Sequence, residues 1–508
     1  MILFADDFNF KEKNFQTLFD FLNKNNIKFV FDNFNADLKK SWGNYEDGYF
    51  EGKFSVDIED FNHKFNFQEI ARDEFLSAFI IKSDFLSSEM SSEEELQKFL
   101  EKKYPLEYEL CIKAAHFWVE YWLDTLRNKN LDSVIVFGGN LIYSKALLKV
   151  AEFLSLKCFV VEHFYTGNDF YFENRYTPIP NNSHLRSKRF FNNLAKSNFG
   201  FLSKISNQNN KNVKQPAYKN MAVQDYILLL CQVPNDFSIL SPWNKRKNTV
   251  LFYKEIIQEL LVKTNKNIII KVHPYERVKN KNGSRNTYDE LNTYISSLII
   301  NEANRVFLVE DFSLEGLIQG CDFAVTLNSQ AGLDVVRLGK KLVCFGEPFY
   351  GRHGFTYDLT DVSELDKFLK EKNNFEFFFE EYNKFMSAAF DHLIGLDETF
   401  KLNYLFGIES GIIEKNQKKI THTTTKPQVV AKPQVVAKPQ VVAKPQVVAK
   451  PQVVVKAVKI EGEDAIFNKS KNKNSDRRKR LLRKFKNDPK RFFEDSQNPF
   501  FRFIGKMI

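Results

Sequence analysis

The apolar residues of this chain gather into short runs separated by stretches of helical spacing, an alternation that is clearest from residue 131 onward. Val134 to Phe137 form a continuous apolar run that stops at Gly138-Gly139 and predicts a buried strand. Apolar positions spaced near 3.6 follow from Ile142 to Leu156 and predict a helix. Lys157 to Val161 then predict a second strand. Strand, helix and strand in that order make a unit of parallel sheet, whose functional loops lie at the carboxyl ends of strands. Gly138, Gly139, Asn140, Glu162 and His163 fall there. The first 100 residues alternate Phe-rich runs with acidic and Asn-rich stretches; they read as irregular mixed α/β, with no strand assigned.

A polar interval rich in Asn and Lys, from about Asn181 to Lys219, separates this half from the next. The alternation then resumes. Strands are predicted at Asp225 to Gln232, Asn267 to Val272, Arg305 to Val309, Asp322 to Thr326 and Lys341 to Phe345. Helices are predicted at Val250 to Lys263, Ser313 to Cys321 and Ala331 to Leu338. Repeated βα units argue for a second doubly wound domain, giving an α/β protein of two Rossmann-like domains facing a cleft. Nucleotide-sugar enzymes are often built this way, although a fold does not fix a chemistry. The expected boundaries are 1–215 and 216–407, followed by a linker, 408–468, and a tail, 469–508.

The linker is set apart by repetition. KPQVVA occurs four times in tandem from Lys426 and is followed by KPQVVV ending at Val455. Pro every sixth residue forbids a helix and weakens sheet pairing, so an extended spacer is expected rather than a solenoid. Thirty residues at about 3.1 Å each would reach on the order of 90 Å.

Charge sharpens the division. Between Lys469 and Ile508 stand 14 Lys/Arg against 4 Asp/Glu, a local +10, so the chain's net +9 leaves about −1 on the preceding 468 residues. The same tail carries large apolar residues, among them Leu481, Leu482, Phe485, Phe492, Phe493, Phe500, Phe501, Phe503 and Ile504. Basic plus aromatic is the signature of an anionic membrane surface, and nucleic acid is the rival partner. With 43% hydrophobic and 27% charged residues the body is long enough for two or three cores. Cys111, Cys158, Cys231, Cys321 and Cys344 stand singly, which predicts buried reduced thiols and neither a disulfide framework nor a zinc site. The segment Met1 to Asp7 carries acid where a signal peptide carries base, and nowhere do 18 apolar residues follow one another, so a cytoplasmic, non-spanning protein is expected.

Three loops of the second half hold the candidate chemistry. Gln232, Asp236 and Ser238 follow a strand directly, although Pro-Asn-Asp is turn chemistry in its own right. His273 ends the next strand, where Pro274 stops it; Lys271 and Arg277 add positive charge, and a structural histidine is the plainer alternative. Asn328, Ser329 and Gln330 run into Ala331-Gly332 at a helix start, where free amides and the dipole favour an anion and Ser329 is a natural cap. Glu315 opens the preceding helix and either meets ribose hydroxyls or simply favours that N-terminus. Glu347, Arg352 and His353 follow the last strand, as cleft residues or as a solvated loop.

QVPNDFSI (Gln232 to Ile239), KVHP (Lys271 to Pro274) and TLNSQAGLDVVRLGKKLVCFGEPFY (Thr326 to Tyr350), in that order, resemble the capsule polysaccharide biosynthesis glycosyltransferases, among them the bacterial β-Kdo transferases. The resemblance covers about Tyr226 to Thr360 well. It reaches the first half loosely, through FGGN and VVEHFYTGNDFYFENRYTPIP. It implies a GT-B-like, metal-independent enzyme without a cofactor, whose donor is CMP-Kdo (CMP-3-deoxy-D-manno-oct-2-ulosonic acid) and whose acceptor is a lipid-linked capsule or lipopolysaccharide glycan. On it, Asp236 is the catalytic carboxylate, a nucleophile in a retaining double displacement, and Glu162 the acid/base or acceptor contact. The donor-binding set is Gln232, Ser238, Lys271, His273, Pro274, Glu315, Asn328, Ser329, Gln330, Ala331 and Gly332. The chain departs from the family's double-module members in carrying one such unit.

With the tail on an anionic membrane surface, the expected place is peripheral, on the inner face of the inner membrane, with no nucleic acid partner. A CMP-sialic-acid transferase and a non-catalytic capsule assembly or export adaptor are the alternatives.

Overall fold

The computed structural model describes residues 1–11, 15–50, 64–187, 225–274, 276, 285–371, 379–395 and 398–407. The KPQVVA repeats, the basic tail and most of the polar interval at 181–219 lie outside them. The first sheet comprises β1 (Ile2–Phe4), β2 (Phe29–Phe31), β3 (Ser133–Phe137), β4 (Lys157–His163) and β5 (Phe170–Asn174), in the order β2-β1-β3-β4-β5. All its pairings are parallel except β4 with β5. The second sheet is wholly parallel: β6 (Tyr226–Leu230), β7 (Ile268–Lys271), β8 (Val306–Val309), β9 (Cys321–Thr326), β10 (Lys341–Cys344) and β11 (Tyr357–Asp358), ordered β11-β10-β9-β6-β7-β8.

The central strands are mostly apolar, as strands of a sheet buried on both faces are. Every residue of β6 and β7 is buried. Helices α1 (Gln16–Lys24), α2 (Ala36–Lys39), α3 (Phe67–Ile80), α4 (Glu93–Lys103), α5 (Pro105–Asn128) and α6 (Ile142–Phe153) belong to the first half. Pro105 opens α5 at a position where its missing N–H costs nothing. Cys111, Ala114, Ala115, Trp118, Val119, Trp122, Leu123 and Leu126 then form its buried stripe. All five cysteines are free and buried, as expected. Among the described residues no helix is long and apolar enough to cross a membrane.

In each sheet the chain leaves a central strand in both directions. β6 is followed by β7 and β8 on one side and then by β9 on the other. Likewise β1 is followed by β2 on one side and β3 on the other. Such a reversal opens a crevice at the carboxyl ends of the two diverging strands, the place where open α/β sheets take ligands.

Candidate active site

The crevice between β6 and β9 is lined by two of the three loops singled out in the sequence, and hydrogen bonds join them. The buried Gln232 accepts at Oε1 from the Asn328 amide at 2.9 Å, and its own amide donates to the Tyr253 hydroxyl at 2.8 Å. Asn328 Nδ2 donates to the Ser238 carbonyl at 2.9 Å. The Ser238 hydroxyl lies 3.4 Å from both Asn328 Oδ1 and Gln232 Nε2. Asp236, half-buried, caps the short helix Phe237–Leu240, its Oδ1 accepting from the Ser238 amide at 2.9 Å. The turn reading of Pro-Asn-Asp is realised: the Asp236 amide donates to the Val233 carbonyl at 3.0 Å, and the turn sets the carboxylate on the loop that follows β6. Among the described residues Asp236 Oδ2 receives no hydrogen bond.

Across β6, the loop after β7 presents His273 and Pro274, both half-buried, with the Glu276 amide donating to the His273 carbonyl at 3.1 Å. Lys271 is buried, and its ammonium donates to the Glu310 carbonyl at the end of β8. Burial pulls its pKa down to about 8 against the pull of Asp311 and Glu310. Glu276 is also buried; it accepts from the Thr287 amide and hydroxyl, and desolvation raises its carboxyl to about 7. Arg277 lies outside the described residues.

The helix start after β9 differs from expectation. The helix runs Gly332–Arg337, six residues, with Ala331 at its N-cap and no side-chain cap. The Ser329 hydroxyl instead accepts from the Ala331 amide at 3.3 Å. The amides of Gly332, Leu333 and Asp334 donate to Ser329, Gln330 and Ala331 carbonyls at 3.0–3.1 Å. They are not the free donors the sequence suggested, because the turn tightens into i→i+3 bonds before the helix begins. What remains for an anion is donation from the Ser329 hydroxyl and Gln330 Nε2; the buried Gln330 Oε1, an acceptor, has no partner among the described residues. Gly332 is required by packing: a Cβ there would stand 2.3 Å from the Tyr350 hydroxyl, which donates to the Ser329 carbonyl at 2.5 Å. Glu315 is exposed, and no hydrogen bond ties it to Gln232 or Asn328.

The loop after β10 is tied together by ion pairs. Arg352, exposed, donates to Glu347 Oε1 at 2.6 Å. Arg186 takes Glu347 Oε2 at 2.7 Å, and Asn181 donates to the Glu347 carbonyl at 3.1 Å. Glu347 thus binds residues 181–186 to the second sheet. His353 packs against Phe385, ring centroids 4.9 Å apart.

In the first half Gly138 and Gly139 adopt φ of +63° and +89°, and a Cβ on Gly139 would meet Leu148 at 2.7 Å, so both glycines are required. Glu162 stands at the end of β4, its Oε1 accepting from the His163 amide at 2.9 Å and its Oε2 3.2 Å from where a Gly138 Cβ would lie. His163, half-buried, stacks on Phe15 with ring centroids 4.8 Å apart. The sequence reading missed the acids after β1. Asp6 is buried, accepting from Asn9 and from the Tyr143 hydroxyl at 2.8 Å; Asp7, half-buried, pairs with Lys11 at 3.0 Å. Their signal was the apolar run Ile2 to Phe4 ending in acid, a strand end in miniature.

Ligand-capable atoms of Glu173, His184 and His392 lie within 4.8 Å of one another. The Glu173 carboxylate is already taken by Arg175 at 2.6 Å, the Ser183 hydroxyl at 2.6 Å, the His184 amide at 3.1 Å and His392 at 2.9 Å. Burial raises its pKa, yet His392, His184 and Ser183 bring it down to about 2. An ion would compete with an arginine already in place.

Among curated proteins none matches the chain. Solved structures similar to it include KpsC of Thermosulfurimonas dismutans, described as a beta Kdo 2,4 transferase. That structure has 18% identity and TM-score 0.36, over 51% of this chain and 79% of that one. A KpsC structure from the same organism described as a beta Kdo 2,7 transferase has 15% identity and TM-score 0.31, over 56% and 89%. The glycosyltransferase SnogD from Streptomyces nogalater has 11% identity and TM-score 0.32, over 80% and 98%. Residues 174–389, which hold β6 to β11 and every loop of the crevice, match the model of the family described as capsule polysaccharide biosynthesis protein. Over that segment the chain is similar to the capsule polysaccharide biosynthesis proteins.

Proposed function

We propose that the chain is a glycosyltransferase that moves Kdo from CMP-Kdo onto a lipid-linked capsule or lipopolysaccharide precursor. The observation that carries the reading is the junction of Gln232, Ser238 and Asn328 across the β6–β9 crevice, with the Asp236 carboxylate at its rim. In the proposed mechanism the donor's CMP lies over this crevice. His273 and the side chains of Ser329 and Gln330 hydrogen-bond the phosphate, and the turn through Ala331 and Gly332 sets where those side chains stand. Lys271 and Pro274 fix the position of the His273 loop, while Asn328 and Glu315 meet the nucleoside. Asp236 attacks the anomeric carbon as the bond to the phosphate oxygen breaks, and CMP leaves with the bonding pair. The acceptor hydroxyl then displaces Asp236, giving up its proton to Glu162, and the anomeric configuration is retained. The His273 ring and the Ser329 hydroxyl meet the leaving phosphate without a metal, and no cofactor takes part. The basic aromatic tail, 469–508, keeps the enzyme on the anionic inner face of the inner membrane, where the lipid-linked acceptor is.

The test is CMP release from CMP-Kdo and, in parallel, from CMP-sialic acid, each with lipid-linked acceptors. Release from the Kdo donor alone is expected. Release from the sialic acid donor alone would replace the sugar, and release from neither, with no CMP binding by calorimetry, would favour a non-catalytic assembly adaptor.

A further inference from the structure

Helix α3 reaches three loops at once. Its Glu74 is buried and accepts from the Gly43 amide at 2.6 Å, the Tyr45 hydroxyl at 2.7 Å and the Ile142 amide at 2.6 Å. Its Asp73 accepts from Asn140 Nδ2 at 3.1 Å and Lys145 at 2.9 Å, so the loop after β3 is held to the helix. One turn on, the Ser77 hydroxyl, fully buried, donates to the Asn235 carbonyl at 2.9 Å. Arg72, paired with Asp73 at 2.5 Å, also reaches the Leu240 carbonyl at 3.3 Å. Trp42, on the loop fastened to Glu74, stacks on Phe237 at 5.6 Å with 24° between the rings. The second-half loop is therefore gripped at Asn235, Phe237 and Leu240, on both sides of Asp236. Asn235 is 4% exposed, and its side-chain Oδ1 receives no hydrogen bond among the described residues, so its carbonyl is the anchored group.

We infer that Ser77 and Trp42 are positioning residues: they hold the Asn235–Leu240 loop so that the Asp236 carboxylate keeps one orientation, and α3 transmits to it the position of the β3 loop. For catalysis this rests on the proposed function. The mechanical part, a loop held from the first half, stands without it. Ser77 and Asp73 lie on one face of the helix, four residues apart, so a movement of one loop is passed to the other through a rigid rod. Displacing a reacting group by about 1 Å can cost on the order of 100-fold in rate, so a lost anchor shows first in kcat.

The experiment uses the full chain and the variants Ser77→Ala, Trp42→Ala and Trp42→Phe. Amide hydrogen exchange over residues 235–240 is read first, then kcat and KM with CMP-Kdo, alongside CMP affinity by calorimetry. Ser77→Ala and Trp42→Ala are expected to speed exchange in 235–240 and lower kcat by about tenfold, with CMP affinity and KM within about threefold of the parent. Trp42→Phe, which keeps a ring against Phe237, is expected to restore kcat. Unchanged exchange in both Ala variants would overturn the inference, as would a fall of kcat, CMP affinity and thermal midpoint together. A parent that turns over no CMP-sugar while the variants still loosen 235–240 would refute the enzymatic reading and leave the clamp in place.

Discussion

Glu276 sits two residues beyond Pro274 with its carboxyl raised by burial from the ordinary 4.5 to about 7, facing Asp289 and Glu310 as further negative charge. The fold keeps this proton where an unfolded chain would have released it. The stability it contributes is thus complete below pH 4.5 and is lost as pH rises through about 7. Glu276→Gln, which keeps an oxygen for Thr287, should equal the parent at pH 4 and exceed it by up to about 3 kcal/mol at pH 8 in urea denaturation. Equal stability at both pH values would show that the carboxyl is ionised in the fold. Lys271 and Glu276 share a lesson about legibility. The sequence placed Lys271 at a strand end, and so near ligand, but its ammonium is spent on the Glu310 carbonyl. Gln232, Asp236, Ser238 and Asn328 were legible because each follows an apolar run directly, whereas Asp73 and Ser77 lie inside a helix and only packing reveals what they touch.

Strands and helices were readable in proportion to their length and burial. β3, β4, β6, β7, β9 and β10 each stand within two residues of the expected bounds, being apolar runs between turns. β1 and β2 have three residues each, and β2 is only half-buried, too little pattern to recognise. The stripe of α5 was present at helical spacing, but it lies among charged and aromatic residues that blur the period. The helix Gly332–Arg337 came at the expected place with a different start, since its first amides turn back on Ser329, Gln330 and Ala331. That turn depends on Gly332. Gly332→Ala would drive a methyl into the Tyr350 hydroxyl and Leu342, so about 2 kcal/mol of stability should be lost. CMP affinity should fall with it, because Tyr350 also holds the Ser329 carbonyl. Calorimetric unfolding and CMP titration check both; an unchanged unfolding midpoint would mean that Tyr350 can move aside.

The chain as a whole joins two sheets with equivalent crevices, β1–β3 in the first and β6–β9 in the second, to a repeat and a tail known only from their sequence. The doubly wound architecture was legible because βα alternation needs no tertiary knowledge. The clamp from α3 was not, since it links residues about 160 positions apart. The tail's local +10 and its large apolar residues give a separate expectation. The full chain should sediment with vesicles containing anionic lipid and be released by salt, and deletion of residues 469–508 should abolish sedimentation while leaving CMP binding intact. Unchanged sedimentation after the deletion would remove the tail from the account. The central claim is that Asp236, at the mouth of the β6–β9 crevice, does the chemistry. It is met most directly by measuring transfer from CMP-Kdo with Asp236→Ala, with folding checked by circular dichroism and CMP affinity by calorimetry. Loss of at least about 1,000-fold in kcat with fold and CMP affinity retained is the predicted result; transfer at the parental rate would contradict it.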